Sequence, residues 1–144
     1  MLDAALSQVA AAWRFARDPW WVIGSAAVWL HGVATTVADI DVLASARDAE
    51  AMIAAWPGAV TTGAAGARFR SHPFARLDGA ALPVEVMADL EVRVDRRWQS
   101  VRPLTRVACR GVFVPDRAEL ATILRRFGRA KDLGRAAALD RRPG

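Results

Sequence analysis

Val22-Ile23-Gly24-Ser25-Ala26-Ala27-Val28-Trp29-Leu30-His31-Gly32, followed by Ala38-Asp39-Ile40-Asp41-Val42-Leu43-Ala44, is the stretch on which the fold turns. The run from Trp20 to Ile23 is short and apolar and is bounded by Pro19 and Gly24, as a buried strand is. Ser25 to Leu30, rich in alanine, predicts the helix that follows, closed by Gly32. From Asp39 to Ala44 the pattern alternates. Ile40, Val42 and Ala44 fall on one face of a strand, and Asp39, Asp41 and Leu43 on the other. A strand, a Gly-Ser turn, a helix and a second strand bearing adjacent carboxylates form the nucleus of the reading.

Outward from that nucleus, strands and helices keep alternating. Leu2, Leu6, Val9, Ala10 and Trp13 recur at helical spacing, which predicts a helix over residues 2–17 stopped by Asp18-Pro19. Ser45 with Asp48 reads as the cap of a helix running to about Trp56, where Pro57-Gly58 ends it. Residues 59–62 and 67–71 are expected to pair as a hairpin. Leu82 to Met87 alternates again, with Glu85 facing away from Leu82, Val84 and Val86. Val107 to Val114 is strand-like with a break at Gly111. Asp116 with Glu119 opens a helix that Gly128 closes, and a last helix spans about Ala130 to Leu139. The expectation is an α/β (α+β) fold, a small mixed β-sheet flanked by helices. No repeat or linker interrupts it, so residues 1–144 read as a single domain.

Composition narrows the chemistry. The single cysteine, Cys109, rules out an internal disulfide, and with two histidines there is no Cys/His zinc constellation. A metal would have to be hard and held by carboxylates, such as Mg²⁺ or Mn²⁺. The longest apolar stretch, Pro19 to Leu30, is too short to span a bilayer, and Asp3 precedes any basic residue, so a cytoplasmic protein with no membrane partner is expected. The net charge of +5 is uneven: residues 1–90 carry 6 arginines against 9 acids, and residues 91–144 carry 14 Arg or Lys against 6 acids. An acidic first part and a basic second part suit a ligand that brings both metal ions and phosphates. A general preference for arginine would leave the same imbalance.

Three features converge on one chemistry: Gly24-Ser25 at a strand-to-helix turn, Asp39 and Asp41 on the next strand, and Glu85 on a later one. Aspartates at i and i+2 lie roughly 6 to 7 Å apart on one strand face, close enough to share divalent cations and repulsive without them. A helix N-terminus after a glycine turn offers free N–H groups to phosphate, and Ser25 adds a hydroxyl. Together these parts make a site for a metal–triphosphate complex, with Glu85 completing the carboxylates and polarising an attacking hydroxyl. Asp89 and Glu91 compete with Glu85 for that place.

Val22-Ile23-Gly24-Ser25-Ala26-Ala27, Leu30-His31-Gly32 and Ala38-Asp39-Ile40-Asp41-Val42-Leu43 resemble the signature of the DNA polymerase β-like nucleotidyltransferase superfamily. The similarity is greatest to its minimal branch of antibiotic and toxin–antitoxin nucleotidyltransferases. Gly128-Arg129-Ala130-Lys131-Asp132-Leu133 resembles the Arg-x-Lys-Asp-Leu element that often closes such domains. The resemblance implies Mg²⁺-dependent transfer of a nucleoside monophosphate from an NTP, ATP among them, to a hydroxyl, with release of pyrophosphate. Asp39, Asp41 and Glu85 would be catalytic and bind metal, while Gly24, Ser25 and Lys131 would bind the nucleotide. The stretch Val33 to Ala38 has threonines but lacks the arginine that related sequences often place there. That departure motivates the alternative of a weak or inactive module working through a partner protein.

Other residues have structural readings of equal interest. His31 reads as a helix C-cap, and the six tryptophans as core or a dimer surface. Arg93, Arg96, Arg97, Arg102, Arg106 and Arg110 either line an acceptor groove, for RNA or another anion, or form a solvated face. A basic nucleic-acid binder is the third functional class left open. The acceptor itself, whether a small molecule, a protein side chain or an RNA end, is not visible in the sequence.

Overall fold

The computed structural model describes residues 1–63 and 65–141. Its centre is a mixed five-stranded sheet ordered β1-β2-β6-β5-β3, made of β1 (Trp21–Ile23), β2 (Ile40–Leu43), β6 (Val84–Met87), β5 (Phe74–Leu77) and β3 (Val60–Thr62). β2 and β6 run parallel, and every other pairing in the sheet is antiparallel. Val22, Ile40, Val42, Ala75, Leu77, Val84 and Val86 are fully buried and, as cross-strand partners, make up one face of the sheet, opposite the face that bears Asp41 and Glu85. Helices pack against the sheet, including α2 (Gly24–Leu30) on β1 and β2 and α3 (Ala46–Ala55) on β5 and β6. The expected α/β architecture, a mixed sheet flanked by helices, is what the chain adopts.

Local chemistry sets the helix ends. Ser45 Oγ accepts from the Asp48 amide to cap α3, and Asp116 accepts from the Glu119 amide at 2.8 Å to cap α4 (Arg117–Phe127). Glu119 does not return the second bond of a capping box. Its carboxylate instead accepts from the amides of Leu104 and Thr105 and from Thr105 Oγ1, tying the preceding loop to the helix. Gly128 closes α4 with a left-handed φ of 73°, and α5 (Ala130–Arg141) folds back against it.

The first helix, α1 (Leu2–Ala12), stops short of the expected residue 17. The chain turns there because Asp48, almost fully buried, collects the amides of Arg17 and Asp18 at 2.8–3.1 Å and draws the segment across the fold. Trp13 and Trp20 then pack together in the core, rings tilted by 42° with centroids 6.2 Å apart. No local periodicity signals a bond between residues so distant in sequence.

The expected hairpin between residues 59–62 and 67–71 does not form. β3 pairs with β5, whereas β4 (Phe69–Arg70) joins a separate sheet, β4-β7-β8, with β7 (Glu91–Val94) and β8 (Arg97–Ser100). β7 and β8 are linked by Asp95 and Arg96, both at positive φ, the backbone that a two-residue hairpin turn requires. A third piece, β9 (Val107–Cys109) with β10 (Val112–Val114), forms a hairpin around Arg110-Gly111.

Candidate functional site

The register of two strand pairs builds the site. β1 sets Ile23 opposite Asp41, and the parallel pairing of β2 with β6 sets Glu85 beside the same aspartate. Asp39 precedes β2 by one residue, and the two-residue period brings its carboxylate to the same side as that of Asp41. Asp39, Asp41 and Glu85 each offer a carboxylate oxygen, and these oxygens lie within 4.8 Å of one another. Asp89 and Glu91 lie outside this group. Both line a separate cavity with Asp18 and Arg102, and Glu91 pairs with Arg70 Nε at 2.7 Å.

Gly24 is where α2 leaves the sheet. Its φ is +68°, and a Cβ on it would come within 2.6 Å of Asp41 Oδ2. Glycine is therefore required twice, by the left-handed backbone and by the carboxylate pressed against it. Ser25 follows in the first turn of α2, whose N-terminus carries no side-chain cap.

The electrostatics are those of crowded acids. Burial, then the charges of Asp39 and Glu85, push the Asp41 carboxyl up to about 8, against the counter-pull of Arg129 and Lys131. Glu85 is raised as well, by burial, by the charge of Asp39 and by a hydrogen bond with Asp39, while Arg76 opposes the shift. Carboxyls so arranged hold protons where they would otherwise hold cations. An all-oxygen donor set with no His or Cys in it fits a hard divalent ion such as Mg²⁺.

Cationic groups enter from the far end of the chain. Lys131 lies exposed in the first turn of α5, near enough for its charge to act on Asp41. Arg129 is fixed by Asp132, 1% exposed, through Nε at 2.6 Å, a second guanidinium nitrogen at 3.1 Å and the Arg129 amide at 3.2 Å. It borders a cavity of about 530 Å³ that opens on Asp41 and Glu85 and is also lined by Arg68, Arg70, Phe69, Phe74 and Phe127. Sequence reasoning missed Arg68, Arg70 and their aromatic neighbours, because the segment carrying them read as one strand of a hairpin.

Other expected participants lie elsewhere. His31 is the C-cap of α2, and its Nε2 bonds the Pro115 carbonyl at 2.8 Å. The arginine series is spread over separate elements. Arg93, Arg96 and Arg97 belong to the β7–β8 hairpin, Arg106 lies over the Phe113 ring, and Arg110 binds Asp3 at 2.7 Å. Of the six tryptophans, Trp13 and Trp20 are core residues, and the others are half-buried.

The chain is similar to the crystal structure of a Thermotoga maritima protein described as a "putative nucleotidyltransferase", at 23% identity and a TM-score of 0.63. The likeness covers 83% of this chain and 81% of that one. The fold is the nucleotidyltransferase fold. No family model and no curated protein matches the chain. No helix among the described residues is long and apolar enough to cross a membrane.

Proposed function

We propose that the chain is a Mg²⁺-dependent nucleotidyltransferase that moves a nucleoside monophosphate from an NTP to a hydroxyl acceptor and releases pyrophosphate. The observation that carries this reading is the meeting of the Asp39, Asp41 and Glu85 oxygens within 4.8 Å beside a glycine turn. Bound at these carboxylates, Mg²⁺ supplies charge neutralisation at the phosphates and Lewis acidity toward the acceptor hydroxyl. Asp39 and Asp41 are the residues that hold it, with Glu85 as the third ligand.

The remaining work falls to the chain's own groups. Gly24 lets the Asp41 carboxylate lie against the backbone where α2 begins, and Ser25 Oγ with the first amides of α2 donates to a phosphate held there. Lys131, whose charge acts on Asp41, balances the triphosphate charge. Glu85, set beside Asp41 by the parallel strand pair, accepts the proton of the attacking hydroxyl. The same reading takes residues 1–144 as one catalytic domain of the minimal branch, acting in the cytoplasm.

Calorimetric titration of each of the four NTPs, with and without Mg²⁺, tests the proposal. Binding by the wild-type protein that needs Mg²⁺ and disappears in Asp39→Ala/Asp41→Ala is the expected result. A folded wild-type protein that binds no NTP would sink it and leave the inactive, partner-dependent module.

A further inference from the structure

The cavity beside the carboxylates has a polarity of its own. Gly24, Ser25 and Lys131, assigned above to the triphosphate, do not line it; Asp41, Glu85 and a rim of arginines do. Of the three clustered carboxylates it touches Asp41 and Glu85 and not Asp39. Arg68 donates to the Phe127 carbonyl, Arg129 is clamped by Asp132, and Arg70 pairs with Glu91 while lying 4.2 Å from the Trp98 ring centroid. Guanidinium groups fixed in this way lose little freedom when an anion arrives.

The rim continues out of the cavity. Cross-strand pairing of Arg70 with Glu91 and of Arg93 with Trp98 sets these side chains on one face of the β4-β7-β8 sheet. Arg93 lies 5.9 Å from the Trp98 centroid, and Arg96 stands in the turn at the end of the row. Among the described residues, neither Arg93 nor Arg96 has a carboxylate within ion-pair distance. Inside the cavity Arg129 lies over the Phe69 ring at 5.0 Å, and Phe69 packs edge-on against Phe127. A row of cations that leads to the carboxylates matches the spaced phosphates of a single strand. A polycationic small acceptor would meet repulsion on the same path.

We propose that the acceptor is the terminal hydroxyl of a single-stranded nucleic acid, laid along the Arg96–Arg93–Trp98–Arg70 row with its end in the cavity. The inference rests on the transferase reading. In the transfer, the terminal hydroxyl oxygen bonds the α-phosphorus of the NTP, and the bond from that phosphorus to the bridging oxygen breaks. Pyrophosphate leaves with the electron pair, and the hydroxyl proton goes to Glu85.

The test uses the full chain and a 5′-fluorescein single-stranded RNA of about 12 nucleotides. Anisotropy titrations are run over a range of salt on wild type and Arg93→Gln/Arg96→Gln, with Mg²⁺–NTP calorimetry on the same samples. The expected result is RNA binding by wild type that weakens about tenfold in the variant, with the log–log salt slope shallower by about 1.4, about 0.7 for each lost phosphate contact. RNA that fails to bind wild type, or binds the variant with an unchanged slope, overturns the proposal even where NTP binds normally. Polyglutamate of equal charge binding as tightly as the RNA overturns it in favour of an acidic protein segment. Arginine-dependent RNA binding without any NTP binding upholds the nucleic-acid surface while removing the transferase reading.

Discussion

Replacing Asp41 by Asn should make the ligand-free protein more stable at alkaline pH while destroying its capacity to hold a cation. Asp41 rises from an ordinary 3.8 to about 8 on folding, because burial and its acidic neighbours oppose its charge. A carboxyl raised in the folded state takes up a proton on folding, so stability falls as pH climbs from about 4 to about 8. At about 1.4 kcal/mol per pH unit, the whole window corresponds to an upper bound of about 6 kcal/mol above pH 8. Relaxation around the site and its coupling to Asp39 and Glu85 reduce this to an expected 2–3 kcal/mol, roughly. Asn has the shape of the protonated acid and no charge to desolvate. Urea denaturation of wild type and Asp41→Asn at pH 5 and pH 8.5 reads the effect directly. The variant's advantage should be small at the lower pH, appear at the higher one, and vanish when Mg²⁺ with NTP stabilises only the wild type. Parallel pH profiles, or a variant less stable at pH 8.5, would refute the electrostatic account of the site.

Gly24→Ala should lose about 1–2 kcal/mol from the left-handed backbone alone, and its Cβ would displace the Asp41 carboxylate, weakening Mg²⁺–NTP binding at least about tenfold by calorimetry. At Glu119, partial burial pushes the carboxyl up, but bonds from Thr105 Oγ1 and the Leu104 and Thr105 amides outweigh it and hold the group below its ordinary range. That stabilisation is present at neutral pH and is lost as pH falls. Glu119→Gln should therefore lower stability by about 1–2 kcal/mol at pH 7 and flatten the acid limb of a Tm–pH curve. Asp132→Asn should lower stability by about 2 kcal/mol in denaturant titration, because the clamp on Arg129 loses its charge; unchanged stability would mean the pair is electrostatically idle.

The parts of the fold legible in the sequence are those written in local chemistry. The caps at Ser45 and Asp116, the stop at Gly128 and the alternation around Asp41 and Glu85 are each set within a few residues. What escaped depends on partners far away. Asp48 reads as a helix-cap acid, yet it also gathers the amides of Arg17 and Asp18. The β7–β8 turn uses Asp95-Arg96 where Asn-Gly would have announced it, so the hairpin and its arginines stayed hidden. Residues 67–71 do not pair with 59–62 as expected because their two-residue strand finds its partner in β7, more than twenty residues on. The acidic half of the candidate site was thus readable, and most of its cationic and aromatic half was not.

The parallel pairing of β2 with β6 also carries a kinetic consequence. Asp41 and Glu85 meet only when a long intervening segment, which contains α3, β3, β4 and β5, has been closed into the sheet. Such non-local closure is the slow kind of folding event, and before it the carboxylates are too dispersed to grip anything. A ligand of the completed triad then has nothing to bind on the way up the barrier. It should leave the refolding limb of a chevron in place and lower only the unfolding limb, acting as a lock on the finished protein and not as a template for it.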